Sequence, residues 1–222
     1  MRVKSKALSI AWKLALLAFC TWGLLDGSGI LAGHYLDGFP NMFTNISNLF
    51  AWVYFACAAV WLISRRDDDA AVTFAPTAKY TAMVSLVVTM LIAHFMLFST
   101  LFQNGQLVVH LVVLHYVVPI MVVLDWLLFD EKGKMPLWGP LAWLSLVGAY
   151  VVVVMVRVGL LGHNMGGGTT ADITRYPYTF LDPALSGAGA VAAFIAAMLV
   201  AFVVLGYVIV GIDRLLARLA RR

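Results

Sequence analysis

A group of polar side chains opens the second long apolar segment, where residues 41–48 read Asn-Met-Phe-Thr-Asn-Ile-Ser-Asn. At about 100° per residue on a helix, Asn41, Thr44, Asn45 and Asn48 share one arc of about 100°. A helix start supplies free N–H groups and the positive end of the helix dipole, and both favour a developing oxyanion, so Thr44 is a candidate nucleophile. The alternative is structural: Thr44 or Asn45 caps the helix, and the amides join neighbouring helices by hydrogen bonds.

Histidines supply the second chemical group, with His115 lying in the segment Leu-His-Tyr-Val-Val-Pro at residues 114–119. Histidine moves protons near neutral pH, so His115 is a candidate general base, although a lone intramembrane histidine often only hydrogen-bonds within a bundle. His94 is expected at the same depth, about 22 Å from the cytoplasmic boundary. The two histidines could hold a haem or a metal, or His94 could orient His115. His110 lies about 140° around the helix from His115 and is not expected to share its site.

Two acidic residues have both structural and functional interpretations. Asp26 could hold an imidazole in the correct tautomer, or it could cap the adjacent Gly-Ser-Gly turn. Asp125 is ten residues, or about 15 Å along a helix, from His115, which is too far for contact. We expect Asp125 to pair with Lys132 or Lys134, or with water near the inner face.

The last long connection, residues 162–183, is rich in glycine and is predicted to be a flexible lid or a simple connection. Arg157 lies just before this segment, and its candidate partners are Asp182 and Asp172. A structural ion pair is the favoured interpretation for Arg157.

The composition defines the elements that must position these residues. Of 222 residues, 63% are hydrophobic and 12% charged, whereas soluble domains have about 25% charged residues, which excludes an ordinary cytosolic enzyme. We predict an all-α bundle of six transmembrane helices that forms one domain over residues 1–222. The predicted spans are approximately residues 8–31, 44–63, 80–102, 108–129, 137–160 and 187–212.

The basic residues predict the orientation of the bundle. Thirteen of the 15 lysines and arginines lie on one side of the predicted spans, so both termini are expected to be cytoplasmic. The net charge of +4 does not indicate a nucleic-acid partner, because the cations lie at span ends, where they orient the protein in the bilayer. The first span is expected to be retained, since no Ala-x-Ala cleavage site follows it.

Three motifs resemble the androgen-induced-gene family and its bacterial six-span relatives. They are Phe-Thr-Asn-Ile-Ser-Asn-Leu at 43–49, His-Tyr-Val-Val-Pro at 115–119 with Leu-Asp-Trp at 124–126, and Arg-Tyr-Pro-Tyr-Thr-Phe-Leu-Asp at 175–182. The resemblance covers nearly the whole chain in order and spacing, with Thr179 where the bacterial relatives usually have a proline.

In that family a threonine and a histidine form the catalytic pair of a hydrolase that acts on fatty acid esters of hydroxy fatty acids. The resemblance therefore implies that Thr44 and His115 are the catalytic residues. It also implies a location in the bacterial inner membrane.

The leading hypothesis is thus a membrane ester hydrolase with a lipid-like substrate and neither a cofactor nor a metal ion. His115 would take the proton of Thr44 as Thr44 attacks the ester, and the amides of Asn45 and Asn48 would stabilise the oxyanion. One objection is that Thr44 is expected about 9 Å farther from the inner boundary than His115, an offset that helix tilt would have to remove.

Two other hypotheses remain open at this point. The first is a haem or other redox membrane protein that uses His94 and His115 as a pair of axial ligands. The second is a non-enzymatic transport or regulatory protein, in which the polar face of the second span lines a permeation path or a ligand site.

Overall fold

The computed structural model describes residues 3–65, 73–167 and 173–220. Within these ranges six helices are long and apolar enough to cross a membrane, which confirms the predicted all-α fold of six spans. We number them α1 (Lys6–Gly27), α2 (Phe43–Ser64), α3 (Pro76–Met96), α4 (Val109–Phe129), α5 (Gly139–Leu160) and α6 (Ala188–Leu219). Six spans place both termini at one membrane face, called here the inner face, which the basic residues predict to be cytoplasmic.

The first span is shorter than the sequence pattern predicts. Helix α1 begins after Ser5, whose hydroxyl accepts from the N–H of Leu8 at 3.2 Å. It ends at Gly27 rather than near residue 31, because Gly29 has a φ of 81° and leads into the 3₁₀ turn Ile30–Ala32.

The third span also ends early, and a small hairpin takes the place of its last turns. Helix α3 ends at Met96, where residue 102 was expected, and the 3₁₀ turn Phe98–Leu101 follows. Strands β1 (Phe102–Gln103) and β2 (Gln106–Leu107) then pair in antiparallel register. Positive φ angles at Asn104 and Gly105 suit this tight turn, which the Asn-Gly pair favours.

Two of the spans contain turns of π-helix. In α4 the π segment is Val113–Val117, between the α segments Val109–Val112 and Val118–Phe129. In α5 the α segments Gly139–Trp143 and Ser145–Val154 precede the π segment Met155–Leu160. Short turns Phe39–Asn41, Thr179–Leu181 and Pro183–Ser186 complete the outer connections. Such π turns interrupt regular helices and often occur at functional sites.

The six helices pack around one apolar core. Helix α1 packs on α2 and α4, α3 lies between α2 and the pair α4 and α5, and α6 packs on α5. The innermost positions are fully buried apolar side chains: Leu16, Cys20, Phe55, Leu86, Val118 and Val122. Large apolar side chains such as Val60, Phe95 and Leu160 face outward, where lipid tails can solvate them.

Two glycines allow close approaches that matter for the site. A Cβ on Gly23 would lie 2.8 Å from Leu114 Cδ2, so this glycine lets α1 pack directly against the turn that carries His115. A Cβ on Gly38 would lie 2.5 Å from the Cα of Gly167. The loop before α2 and the long outer connection therefore touch backbone to backbone.

Candidate active site

Thr44 and His115 meet inside the bundle. The Thr44 Oγ1 atom lies 3.0 Å from the His115 Nε2 atom, although 71 residues separate them in the sequence. The two side chains are buried, with 9% and 7% of their surfaces exposed. The axial offset of about 9 Å that residue counting gives does not keep them apart.

The tautomer of His115 follows from its second contact. Its Nδ1 atom lies 2.8 Å from the carbonyl oxygen of Leu111, which can only accept a hydrogen bond. Nδ1 therefore carries the proton, and Nε2 presents a lone pair. It follows that the Thr44 hydroxyl donates to Nε2, which is the arrangement that a general base requires.

Irregular backbone shapes the turn that carries His115. The N–H of Val118 bonds to the carbonyl of Val113, five residues back, as in a π-helix. The next bond of this kind would run from residue 119 to the carbonyl of Leu114, but Pro119 has no N–H to donate. The carbonyl of Leu114, five residues before this proline, instead accepts from the side-chain amide of Asn48 at 3.1 Å.

The position of Asn48 corrects the role expected for it. Its Nδ2 atom also donates to the carbonyl of Thr44 at 2.8 Å, and the residue is fully buried. Both amide hydrogens are thus used on backbone carbonyls, and none remains for an oxyanion. Asn48 ties the first turn of α2 to the turn of His115.

The other two asparagines of the polar arc also lie away from the reacting groups. Asn45 Nδ2 donates to the carbonyl of Phe39 at 2.7 Å, so Asn45 fastens the loop before α2, and the residue does not line the cavity beside Thr44. Asn41 lies in the 3₁₀ turn before α2, and its carbonyl accepts from the Tyr150 hydroxyl at 3.0 Å. The arc fails at Asn41 because α2 starts only at Phe43.

A cavity opens beside the Thr44–His115 pair. Five of its lining residues have polar side chains: Thr44, Thr89, His115, Tyr150 and Tyr178. The rest of the lining is aliphatic or aromatic and comes mainly from α3, α5, α6 and the segment 180–181. A mainly apolar cavity with a few converging polar groups is the usual form of a small-molecule site.

Tyr178 is the residue that the sequence analysis missed. Its hydroxyl accepts from the N–H of Phe43 at 3.0 Å, at the very start of α2. The same hydroxyl lies beside the hydroxyl and the N–H of Thr44, and burial raises the pKa of Tyr178. The only sequence signal was its place in the Arg-Tyr-Pro-Tyr motif, to which no role had been given.

The segment that carries Tyr178 is fixed by its own hydrogen bonds. The Thr174 hydroxyl donates to Asp182 Oδ2 and accepts from the N–H of Tyr176. Asp182 Oδ1 accepts from the N–H of Ala184 at 2.8 Å and caps the turn Pro183–Ser186. The segment covers the cavity at residues 178, 180 and 181.

Asp182 is therefore not the expected partner of Arg157. Across 3–65, 73–167 and 173–220 no carboxylate pairs with Arg157, whose side chain is exposed. The second candidate, Asp172, lies outside the described residues.

Asp26 holds an imidazole, but not that of His115. Its Oδ2 atom lies 2.8 Å from the Nδ1 atom of His110. Asp26 is at the end of α1 and His110 in the first turn of α4, so their pair joins these two helix ends. The Thr44–His115 pair therefore has a backbone carbonyl, and not a carboxylate, behind its histidine.

His94 points away from His115, and the two histidines do not form a shared site. It lies in the last turn of α3 and is exposed, with its Nδ1 atom 3.4 Å from the Tyr116 hydroxyl. Its ring packs edge to face on Phe95 and Phe98. Both ring nitrogens of His115 already have partners in Thr44 and Leu111, so the geometry does not favour the paired-histidine hypothesis.

Asp125 has partners other than those predicted. Its two oxygens bond to Lys13 at 2.7 Å and Lys79 at 2.6 Å, and Lys79 also contacts Asp130 at 2.5 Å. Asp125 faces the bundle interior, where α1 and α3 bring these lysines to it. Lys132 instead donates to the carbonyls of Trp126 and Asp130, and Lys134 pairs with Glu131.

The six apolar helices make this chain an integral multi-pass membrane protein. Its function has to be argued from the site, because a fold alone does not determine chemistry. Comparison of the chain with family models, with curated proteins and with solved structures finds no match.

Proposed function

We propose that this protein is an integral membrane ester hydrolase, with Thr44 as the nucleophile and His115 as the general base. The observation that carries the proposal is the buried 3.0 Å contact between Thr44 Oγ1 and His115 Nε2. The Leu111 carbonyl holds the imidazole in the tautomer that accepts the threonine proton. A nucleophile and a base within hydrogen-bond reach, with the base oriented by a third group, form the unit of covalent acyl transfer.

The first half of the reaction acylates the enzyme. The Thr44 oxygen bonds to the ester carbonyl carbon while its proton passes to His115 Nε2, and the carbonyl electron pair moves onto the carbonyl oxygen. When the tetrahedral intermediate collapses, the bond to the alcohol oxygen breaks. His115 returns the proton to that oxygen, so the alcohol leaves neutral.

The second half uses water and restores the enzyme. His115 takes a proton from a water molecule, and the water oxygen attacks the acyl-threonine carbonyl. Collapse breaks the bond to the Thr44 oxygen, which regains a proton from His115. The products are one carboxylic acid and one alcohol, and the dyad returns to its starting protonation state.

The start of α2 places positive potential beside the Thr44 oxygen. The residue before the helix, Met42, has no side chain that caps it. The N–H groups of Phe43 and Thr44 therefore point toward the Tyr178 hydroxyl rather than to a cap. The positive end of the helix dipole lies at the same place and stabilises negative charge that develops nearby.

The cavity favours a lipid-like ester as substrate. Its lining is mainly apolar with a few converging polar groups, which is the usual character of a small-molecule site. Aromatic and aliphatic side chains such as Phe180, Phe194 and Met198 line most of it and would solvate an acyl chain. The resemblance of the chain's motifs to the androgen-induced-gene family supports fatty acid esters of hydroxy fatty acids as the first substrates to try.

The test measures hydrolysis of long-chain acyl esters by the protein purified in detergent. We expect Thr44→Ala and His115→Ala each to lower kcat by about 10³-fold or more. Thr44→Ser should keep part of the activity because it keeps the nucleophilic oxygen. His94→Ala is the matched control, since this histidine lies outside the cavity. A fluorophosphonate probe should label Thr44, as shown by peptide mass spectrometry.

Wild-type rates in both Thr44→Ala and His115→Ala would overturn the hydrolase proposal. Substrate flux into liposomes that survives Thr44→Ala would then support a transport protein.

A further inference from the structure

The hydroxyl of Tyr178 is placed beside the reacting atoms of the proposed site. It accepts from the Phe43 N–H at 3.0 Å and lies next to the Thr44 hydroxyl, which is 3.0 Å from His115 Nε2. Tyr178 comes from the outer connection, whereas Thr44 and His115 come from α2 and α4. Three separate parts of the chain thus converge on the Thr44 oxygen.

The direction of the hydrogen bonds shows what this phenol can do. His115 Nε2 has the lone pair that takes the Thr44 proton, so the Thr44 oxygen has lone pairs free to accept. The Tyr178 oxygen accepts from a backbone N–H, and its own proton is therefore available to the Thr44 oxygen. Burial raises the pKa of Tyr178, so the phenol keeps this proton at neutral pH.

We propose that Tyr178 is a third catalytic residue, whose hydroxyl donates a hydrogen bond to the ester carbonyl oxygen as it becomes an oxyanion. This inference rests on the proposed hydrolase function. As the Thr44 oxygen bonds to the carbonyl carbon, the Tyr178 O–H turns toward the carbonyl oxygen. No proton leaves Tyr178, and its oxygen keeps the hydrogen bond from the Phe43 N–H at the start of α2.

The surroundings of Tyr178 hold the ring while the O–H remains free to turn. The ring stacks on Phe180 at 5.0 Å between centroids with an interplanar angle of 8°, and Tyr150 packs against it edge to face. The hydrogen bonds of Thr174 and Asp182 fix the segment on both sides. A donor held in place in this way needs little reorganisation when negative charge develops on the carbonyl oxygen. This preorganisation is the reason why oxyanion donors lower the activation barrier.

The test is Tyr178→Phe, which removes the hydroxyl and keeps the ring that stacks on Phe180. We expect kcat to fall by about 10²–10³-fold, the usual cost of losing one oxyanion donor, with little change in KM. The matched control is Tyr176→Phe, because Tyr176 is buried in the same segment but does not line the cavity. Its kcat should stay at the wild-type value.

A comparison of two substrates separates this role from proton donation. An oxyanion donor acts on the carbonyl, so Tyr178→Phe should slow a p-nitrophenyl ester and an alkyl ester of the same acid by equal factors. A loss confined to the alkyl ester would overturn the inference, because only an alkoxide leaving group needs a proton. A kcat of Tyr178→Phe equal to that of Tyr176→Phe would overturn the inference as well.

Folding and the parent proposal are checked independently. Thermal melting in detergent reports whether Tyr178→Phe is folded, and 3-fluorotyrosine at position 178 keeps a hydroxyl that is a stronger donor. We expect the fluorinated protein to retain kcat at or above the wild-type value, and a loss equal to that of Tyr178→Phe would overturn the inference. If Thr44→Ala keeps the activity, the hydrolase proposal itself fails, whereas an inactive Thr44→Ala with an active Tyr178→Phe overturns only the role of Tyr178.

Discussion

The side-chain amide of Asn48 donates to the backbone carbonyl of Leu114 across 3.1 Å and so connects the two turns that carry Thr44 and His115. The same amide donates to the carbonyl of Thr44. The distance between Thr44 and His115 thus depends on one fully buried side chain.

Replacement of Asn48 by alanine should therefore lower both stability and activity. The carbonyl of Leu114 loses its donor inside the bundle, at a cost of about 1–3 kcal/mol, and the Thr44–His115 distance is no longer fixed. We expect a lower melting temperature and a lower kcat. Asn45→Ala is the control, since within the described residues the Asn45 side chain bonds to the loop at Phe39 and not to α4. Equal effects of the two variants on kcat would contradict this prediction.

Asp26 should have no role in the chemical step. It bonds to His110 and not to His115, so Asp26→Asn should leave kcat close to wild type. In a Ser-His-Asp triad the same change lowers kcat by about 10⁴-fold. Steady-state kinetics of Asp26→Asn therefore distinguish two arrangements. A kcat near wild type fits a Thr–His pair whose histidine bonds to a backbone carbonyl, whereas a large loss would indicate a triad that includes Asp26.

The buried ionic cluster of Lys13, Lys79, Asp125 and Asp130 should contribute to the free energy of unfolding. Asp125→Asn leaves Lys13 and Lys79 with weakened pairing inside the bundle, and removal of one partner from a buried ion pair costs about 3–5 kcal/mol. Glu131→Gln is the control, because its pair with Lys134 is exposed and 3.6 Å apart. Such pairs contribute about 0–1 kcal/mol. Denaturation in detergent should separate the two variants, and similar unfolding midpoints would count against this account.

The absorption spectrum tests the haem alternative directly. Because His94 is exposed and contacts Tyr116 rather than facing His115, we expect no Soret band from protein purified out of haem-replete cells. A Soret band that both His94→Ala and His115→Ala abolish would contradict this expectation and favour a haem protein.

The sequence predicted the spans well, because their apolar length is a local property of the chain. It did not predict where α3 ends, since the Asn104-Gly105 hairpin replaces helical turns that the apolar pattern equally allows. The partners of Asp125 were missed for a different reason. Lys13 and Lys79 lie far away in the sequence, and only helix packing brings them to it.

For the site as well, the sequence indicated candidate residues but not which of them lie in contact. The residue types made Thr44 and His115 candidates for a nucleophile and a base, but their contact depends on how α2 and α4 pack. Residue counting along ideal helices even argued against that contact. Tyr178 could not be placed at all, because an irregular outer connection has no periodicity from which its position could be inferred.

The backbone contact between Gly38 and Gly167 bears on how a substrate would be delivered. It joins the loop before α2 to the outer connection, whose residues 178, 180 and 181 line the cavity. Helix α6 lines another side of the cavity with partly exposed side chains such as Phe194 and Met198. For a lipid ester this favours a path from the side, within the bilayer. The relevant substrate concentration is then its mole fraction in the membrane, and KM should scale with lipid content rather than with the volume of buffer.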